Sequence, residues 1–360
     1  MKTISGVPLF GLQLRPAFRT AAAAAVLATV SALPAWAEKY ASIVVDMDTD
    51  QVLHARNADE DRFPASLTKV MTLYLVFDAL EDGTLKLNER IPVSKYAAGR
   101  PPSKLGLKAG STIKVEDAIR ALVTKSANDV AVVVAERLGG SESKFARKMT
   151  DKAKELGLEH TTFRNASGLP DAQQTTTARD LAKLAEAVYE DHRGYYSYFS
   201  TPEFVWNRRR NKNHNTLLDK VDGVDGIKTG YTNASGYNLM ASAERDGHRV
   251  IAVMLGGTTG KSRDAHVTEL LEAAFLHING VALADGKGFV DAFASDNGDL
   301  STADALAAAQ LRRFQSESDD VRAVTYIDDD SNDEESAQGD ADASAALDMP
   351  VDDTSAPPAE

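Results

Sequence analysis

Two strand-forming regions stand at opposite ends of the body of this 360-residue chain, and mainly helical segments lie between them. Residues 42–47 and 52–56 flank a polar turn and predict a β-hairpin, and residues 238–243 and 250–255 flank Asp246-Gly247 and predict a second one. Because strands bury their apolar faces by pairing, we expect both regions to join in one antiparallel sheet. The expected fold class is α/β (α+β), with a helical lobe inserted in the chain and a cleft beside it.

The middle of the chain carries the spacing of apolar residues that is typical of helices. Apolar residues recur every three to four positions over residues 66–80, and Gly83 follows as a stop signal. Similar patterns predict helices over residues 115–124, 129–138, 141–156, 177–189 and 262–277.

The first 37 residues have the three parts of a secretory signal peptide. Residues 1–20 are basic and free of acidic residues, residues 21–33 are uncharged and apolar, and Ala35-Trp36-Ala37 fits a small-x-small cleavage site. The apolar run is shorter than the roughly 20 residues that cross a membrane as a helix. We therefore expect cleavage near Ala37 and export to the periplasm or cell wall.

The formal net charge of −13 is concentrated at the C-terminus. Residues 316–360 contain 15 acidic residues and one Arg, whereas residues 38–315 are nearly neutral. We expect an acidic disordered tail over 316–360, preceded by a short, partly helical extension over 281–315. The body offers no basic field for nucleic acid. The chain has no cysteine, which excludes disulfides, thiol nucleophiles and iron–sulfur clusters.

The sequence Ser66-Leu67-Thr68-Lys69 places a hydroxyl and an amine three residues apart near a predicted helix start. Residues at this spacing lie on one helix face. A serine hydroxyl becomes a good nucleophile only when a base removes its proton, and a lysine in a water-poor cleft can serve as that base. The pattern is common by chance, and Ser141-Glu142-Ser143-Lys144 also matches it; we interpret that second match as a solvated helix start.

Two further motifs are weak when each is taken alone. In Ser126-Ala127-Asn128, a hydroxyl and an amide could relay a proton and hold a substrate amide, although helix capping is the simpler interpretation. Lys228-Thr229-Gly230 is predicted to lie on an edge strand. There the lysine supplies positive charge, the threonine can bind a carboxylate and the glycine permits close approach of a substrate. The simpler interpretation is a strand followed by a turn.

Taken together and in this order, the three motifs resemble those of the serine D-alanyl-D-alanine carboxypeptidases, the low-molecular-mass penicillin-binding proteins. The resemblance covers residues 38–280 and implies a β-lactamase/transpeptidase-like fold. It also rests on five flanking segments: residues 41–46, 64–69, 165–170, 177–181 and 223–232.

The resemblance implies a role for each motif. Ser66 would attack the terminal D-Ala-D-Ala bond of peptidoglycan stem peptides with Lys69 as the base, and β-lactams would trap the same serine. Ser126 and Lys228 would pass the proton to the leaving amine, and Asn128 would hold the substrate amide. The substrate-binding residues would be Thr229, Gly230 and Tyr231, with an oxyanion hole formed by the backbone N–H groups of Ser66 and Tyr231.

Charge complementarity suggests one more binding residue. The expected substrate ends in a carboxylate that Thr229 alone cannot balance, and Arg263 follows the last predicted strand, where the family has an arginine. We expect Arg263 to clamp the carboxylate through its planar fork, with an exposed helix-start arginine as the alternative.

Several other functions stay open at this stage. A DD-endopeptidase that cuts peptidoglycan crosslinks shares every motif. A class A β-lactamase is disfavoured because residues 161–185 contain no glutamate, and a non-catalytic wall-binding protein is disfavoured because every motif is intact. No cofactor is expected, since the histidines form no metal motif and residues 256–262 lack the first glycine of a phosphate loop. Many relatives add a β-rich domain and an amphipathic membrane helix, and we expect no firm membrane anchor here.

Overall fold

The computed structural model of the protein describes residues 39–280. The predicted signal peptide, the extension over 281–315 and the acidic tail over 316–360 lie outside the described residues.

A five-stranded antiparallel sheet joins the two ends of the body, as the sequence predicts. In spatial order the strands are β2, β1, β9, β8 and β7, so that the first two strands pair with the last three through β1 and β9. In that contact Ile43 lies opposite Val253. The strands are β1 (Ala41–Asp46), β2 (Gln51–Arg56), β7 (Val224–Thr232), β8 (Gly236–Arg245) and β9 (His248–Gly257).

The inserted lobe is mainly helical. In chain order the helices are α1 (Thr68–Glu81), α2 (Lys95–Ala98), α3 (Val115–Val123), α4 (Asn128–Gly139), α5 (Glu142–Glu155), α6 (Ala178–Asp191), α7 (Arg193–Tyr196) and, after the sheet, α8 (Gly260–Ile278). The six longer helices lie within a few residues of their expected bounds, whereas the short helices α2 and α7 are not predicted from the sequence.

Two small hairpins and three 3₁₀ turns are not predicted from the sequence, since segments of three or four residues are too short to show a period. The hairpin strands are β3 (Arg90–Pro92) with β4 (Thr112–Lys114) and β5 (Glu203–Trp206) with β6 (Arg209–Lys212). The turns span Ala65–Leu67, Ser197–Ser200 and Thr216–Asp219.

Separate apolar clusters cover the two faces of the sheet, following the alternation of side chains along each strand. Ile43 and Val253 pack with α1 and the rest of the lobe, whereas Val44 and Ala252 pack with α8. Helix α1 is apolar on most of its circumference, which is typical of a helix buried on all sides. Each fully buried side chain contributes about 1.5–3 kcal/mol, so the helix that carries Lys69 is held firmly.

A network of buried polar side chains, joined by hydrogen bonds, connects the sheet to α8. His54 Nε2 lies 2.7 Å from Ser42 Oγ, and Tyr40 Oη lies 2.8 Å from Ser42 Oγ and 2.7 Å from His266 Nε2. Burial, and to a smaller extent the neighbouring His266 and Arg56, lowers the pKa of His54 from 6.5 to about 4.

This buried histidine predicts a loss of stability in acid. Because the unfolded chain binds the His54 proton more readily, the stability is fully present above pH 6.5 and falls as the pH drops towards 4. We expect His54 to account for a loss of about 2 kcal/mol between pH 8 and pH 5. Thermal unfolding should show a flatter pH profile for His54→Gln, whereas the profile of the surface variant His248→Gln should follow the wild type. Equal profiles for wild type and His54→Gln would contradict the assignment.

Candidate active site

Ser66 lies in the 3₁₀ turn Ala65–Leu67, directly before α1. Its side chain is partly exposed, whereas Lys69, one turn further on, is fully buried. Ala65 has a φ of +48°, in the left-handed region that costs an alanine about 1–2 kcal/mol. Such strain is characteristic of functional turns, and here it sets the direction in which Ser66 leaves the backbone.

Three oxygen atoms surround the amine of Lys69. Nζ lies 3.0 Å from Ser66 Oγ, 2.8 Å from Asn128 Oδ1 and 2.6 Å from the backbone oxygen of Ser167. The amide and backbone oxygens can only accept hydrogen bonds, and a neutral amine has two N–H donors and one lone pair. When both donors are used on these two acceptors, the lone pair faces Ser66 Oγ. The arrangement therefore suits transfer of the serine proton to lysine.

Asn128, the first residue of α4, contacts Lys69, and Ser126 lies two residues earlier, in the connection from α3. Ser126 has a φ of +57°, and its buried Oγ has no hydrogen-bond partner within residues 39–280. The capping interpretation fails, because Ala127 occupies the N-cap of α4 and no side chain bonds there. A buried hydroxyl without a hydrogen-bond partner is uncommon, and it suits a group that hydrogen-bonds to a bound substrate. Asn128 Nδ2 donates to Pro101 O at 3.1 Å, which leaves one of its two N–H bonds for a ligand.

Strand β7 forms an edge of the sheet and runs beside the Ser66 turn. Lys228 and Thr229 are buried, and Lys228 Nζ donates to Thr229 O at 2.9 Å. A Cβ added to Gly230 would lie 3.0 Å from Ser66 N and crowd the serine turn, so glycine favours this close approach. Tyr231 is partly exposed and packs against Tyr237, with 4.2 Å between ring centres. The third motif therefore lies on an edge strand, as predicted.

The segment 165–169 closes the site behind Lys69. Gly168 has a φ of +85°, and a Cβ there would lie 1.8 Å from Ala65 O. Asn165 Oδ1 accepts the Gly168 N–H at 2.7 Å and holds the turn. In the sequence these residues support only the family resemblance. Sequence reasoning missed the contribution of Ser167 because it comes from a backbone oxygen, and the one local signal was the Asn-x-x-Gly turn.

Arg263 is buried in the first turn of α8, which excludes the alternative of an exposed helix-start arginine. Helix α8 begins with a capping box in which Thr259 Oγ1 accepts the Ser262 N–H at 3.0 Å. Arg263 Nε donates to Asp264 Oδ1 at 2.8 Å, so the guanidinium already has one carboxylate partner.

His214 connects Arg263 electrostatically to the motif residues. Burial, together with the positive charges of neighbouring side chains that include Lys228 and Arg263, lowers the pKa of His214 to about 3. The imidazole is therefore neutral at ordinary pH, and its surroundings are electropositive.

The structure brings Ser66, Lys69 and Asn128 into direct contact and places Gly230 against the Ser66 turn. A sheet with an inserted helical lobe, and a serine–lysine pair beside its edge strand, define the β-lactamase/transpeptidase-like class of proteins.

Within that class, the chain belongs to the D-alanyl-D-alanine carboxypeptidases of peptidase family S11, which it matches over residues 28–259. It is 36% identical over 243 residues to D-alanyl-D-alanine carboxypeptidase DacF of Bacillus subtilis, covering 66% of this chain and 62% of that protein. It is 38% identical over 261 residues to DacA of Escherichia coli, covering 70% of this chain and 64% of that protein. The match thus spans less than two thirds of the length of these relatives.

Solved structures agree with this assignment. Penicillin binding protein 5 from Haemophilus influenzae superposes with a TM-score of 0.64 at 34% identity, covering 65% of this chain and 70% of that chain. Penicillin-binding protein D2 from Listeria monocytogenes, in its ampicillin-bound form, superposes with a TM-score of 0.57 at 32% identity, covering 65% of this chain and 96% of that chain.

Proposed function

We propose that this protein is a serine DD-carboxypeptidase that removes the terminal D-alanine from peptidoglycan pentapeptides through an acyl-enzyme on Ser66. The observation that carries the proposal is the environment of Lys69. Its Nζ lies 3.0 Å from Ser66 Oγ and within hydrogen-bond distance of two acceptors, Asn128 Oδ1 and Ser167 O. In the neutral amine that donates to these two acceptors, the lone pair would face Ser66 Oγ. Membership of the S11 family supports the same chemistry.

The steps of the proposed reaction rest on the family resemblance and on the contacts of Lys69. Ser66 Oγ bonds to the carbonyl carbon of the penultimate D-alanine while its proton passes to Lys69 Nζ. The N–H groups of Ser66 and Tyr231 stabilise the oxyanion. Ser126 and Lys228 pass the proton to the leaving nitrogen, the C–N bond breaks and free D-alanine departs. Water then adds to the ester, and the shortened peptide leaves with its new carboxylate.

The cleft favours a substrate with a terminal carboxylate. Thr229 donates a hydroxyl, while Lys228 and Arg263 supply positive charge in a region largely removed from water. β-Lactams imitate this substrate and are expected to acylate Ser66; the ampicillin-bound and cefotaxime-bound forms of the Listeria relative support that expectation.

Export to the periplasm or cell wall is part of the proposal and rests on the predicted signal peptide. Within residues 39–280, no helix has the length and apolar character needed to cross a membrane.

A paired digestion tests the proposed reaction. Purified protein would be incubated with a pentapeptide ending in D-Ala-D-Ala and, separately, with a crosslinked peptide dimer. Release of free D-alanine from the pentapeptide supports a carboxypeptidase, and conversion of the dimer to monomers supports the endopeptidase alternative. Rapid turnover of penicillin would instead indicate a β-lactamase. Absence of all three reactions, with no adduct formed, would identify a non-catalytic binding protein.

Loss of Arg263 should lower kcat/KM mainly for substrates that carry the terminal carboxylate. A charge-assisted hydrogen bond contributes about 1.5–3 kcal/mol, so Arg263→Ala should lower kcat/KM for the pentapeptide about 10- to 100-fold. An ester analogue without the terminal carboxylate should lose much less. Arg245→Ala is the matched control, because Arg245 also pairs with a carboxylate of α8, that of Glu272. Equal losses for both substrates would mean that Arg263 is structural.

A further inference from the structure

Glu142 is a buried carboxylate that belongs to none of the three motifs. It occupies the first position of α5 and is 8% exposed, whereas its neighbours Ser143 and Lys144 are exposed. The interpretation of Ser141-Glu142-Ser143-Lys144 as a solvated helix start is therefore wrong for Glu142. A charged group leaves water only at a large cost unless it is well bonded, so its partners are informative.

Each oxygen of Glu142 accepts one hydrogen bond. Oε1 accepts the Ala166 N–H at 3.2 Å, and Oε2 accepts the Tyr96 hydroxyl at 2.8 Å. The positive end of α5 also favours the negative charge at this position. Burial raises the pKa of Tyr96, and the bond to Glu142 raises it further, so the phenol stays protonated and donates. The carboxylate is therefore held on one side by Tyr96 and turned towards Ala166 on the other.

Ala166 precedes the residue whose backbone oxygen binds Lys69. Its N–H goes to Glu142, and its backbone oxygen accepts the Thr72 hydroxyl at 2.7 Å. The next backbone oxygen, that of Ser167, accepts from Lys69 at 2.6 Å. Residues 165–169 lie in no helix or strand, so the position of this segment depends on such bonds from side chains.

We propose that Glu142 is a positioning residue for Lys69. By fixing Ala166, it holds Ser167 O against Lys69 Nζ, and this contact directs the lone pair of the amine at Ser66 Oγ. The inference rests on the proposed acylation of Ser66. A shift of the 165–169 segment by a fraction of an ångström would turn the amine away from the serine without closing the cleft to ligands.

The test separates binding from chemistry. Stopped-flow measurements with a fluorescent penicillin give the dissociation constant of the first complex and the rate constant of acylation. We expect Glu142→Leu to lower the acylation rate constant about 10- to 100-fold and to leave the dissociation constant unchanged. Glu142→Gln keeps an oxygen acceptor for the Ala166 N–H and should recover most of the rate.

Glu136→Leu is the matched control. Glu136 is also a partly buried carboxylate that accepts a hydroxyl, that of Ser94 at 2.9 Å, but it does not contact segment 165–169. Its acylation rate constant should equal that of the wild type. If the acylation rate constant falls equally in Glu136→Leu and Glu142→Leu, Glu142 acts through general stability and the proposal fails.

A second variant decides the question if Glu142→Leu does not fold. Thr72→Val preserves side-chain shape and loses the bond to Ala166 O together with a weak 4.0 Å contact to Met149 Sδ, so it should slow acylation in the same way. A wild-type rate constant for Thr72→Val would overturn the proposal.

Hydrogen exchange provides a readout that does not depend on catalysis. The amides of residues 166–168 should exchange faster in Glu142→Leu and Thr72→Val than in the wild type or in Glu136→Leu. If the wild-type protein is not acylated at all, the proposed function fails while exchange still tests how the segment is held. Unchanged exchange in both variants would exclude the positioning role.

Discussion

Replacement of Lys69 by methionine is expected to reduce penicillin acylation of Ser66 by about 10²- to 10⁴-fold, the usual contribution of a general base. Methionine has a similar length and suits a fully buried site, but it has no lone pair that can take the serine proton. Mass spectrometry of the peptide containing Ser66 should show a one-to-one adduct in the wild type, a trace in Lys69→Met and none in Ser66→Ala.

The second serine–lysine match in the chain supplies the control. Lys144 stands three residues after Ser141, as Lys69 does after Ser66, but it is exposed on α5. In Lys144→Met, Ser66 should be acylated at the wild-type rate. Loss of the lysine also leaves Asn128 Oδ1 and Ser167 O without their donor, so thermal unfolding must confirm that Lys69→Met is folded. An adduct that forms at full rate in folded Lys69→Met would remove Lys69 from the mechanism.

Gly168→Ala is expected to abolish most of the activity by displacing the Ser66 turn. The new Cβ would lie 1.8 Å from Ala65 O and 2.9 Å from Ser66 N, so one of the two backbones must move. A displacement of about 1 Å at a reacting group costs roughly 10²-fold in rate. The melting temperature should fall by several degrees as well, because alanine is strained at a φ of +85°.

Gly83→Ala distinguishes the collision from the backbone strain. Gly83 has a φ of +78°, but a Cβ there meets nothing within 4 Å. Gly83→Ala should therefore lose stability through backbone strain alone, and its Ser66 should be acylated at the wild-type rate. If Gly168→Ala behaves like Gly83→Ala in the acylation assay, segment 165–169 does not press on the serine turn as described.

The sequence predicted the parts of the fold that carry a long, regular pattern. The hairpins at the two ends, the helix after Ser66 and the edge strand with Lys228 all follow from apolar spacing and turn residues. The short strands β3 to β6 could not be predicted in this way, because three or four residues reveal no period. The domain boundaries at residues 37, 280 and 315 stay predictions.

The candidate site was predicted where side chains carry the chemistry and was missed where the backbone does. Ser66, Lys69, Ser126, Asn128 and Lys228 are visible as residue types at informative spacings. Ser167 contributes an oxygen that every residue has, and no sequence motif marks it. Glu142 was misjudged for a different reason. A charged residue in the first turn of a helix is usually solvated, and only the tertiary structure shows that Glu142 is buried.

The strand order of the central sheet has a consequence for the timing of activity. Strand β1 pairs with β9, and the Ser66 turn, which follows β2, packs against β7. Both contacts join residues that are far apart in the chain. Such long-range pairing slows folding, because a large loop must close before its contacts form. Gly230 reaches the Ser66 turn only when β7 joins the sheet, late in the chain. We therefore expect the reactivity proposed for Ser66 to appear late in folding, when the last strands close the sheet.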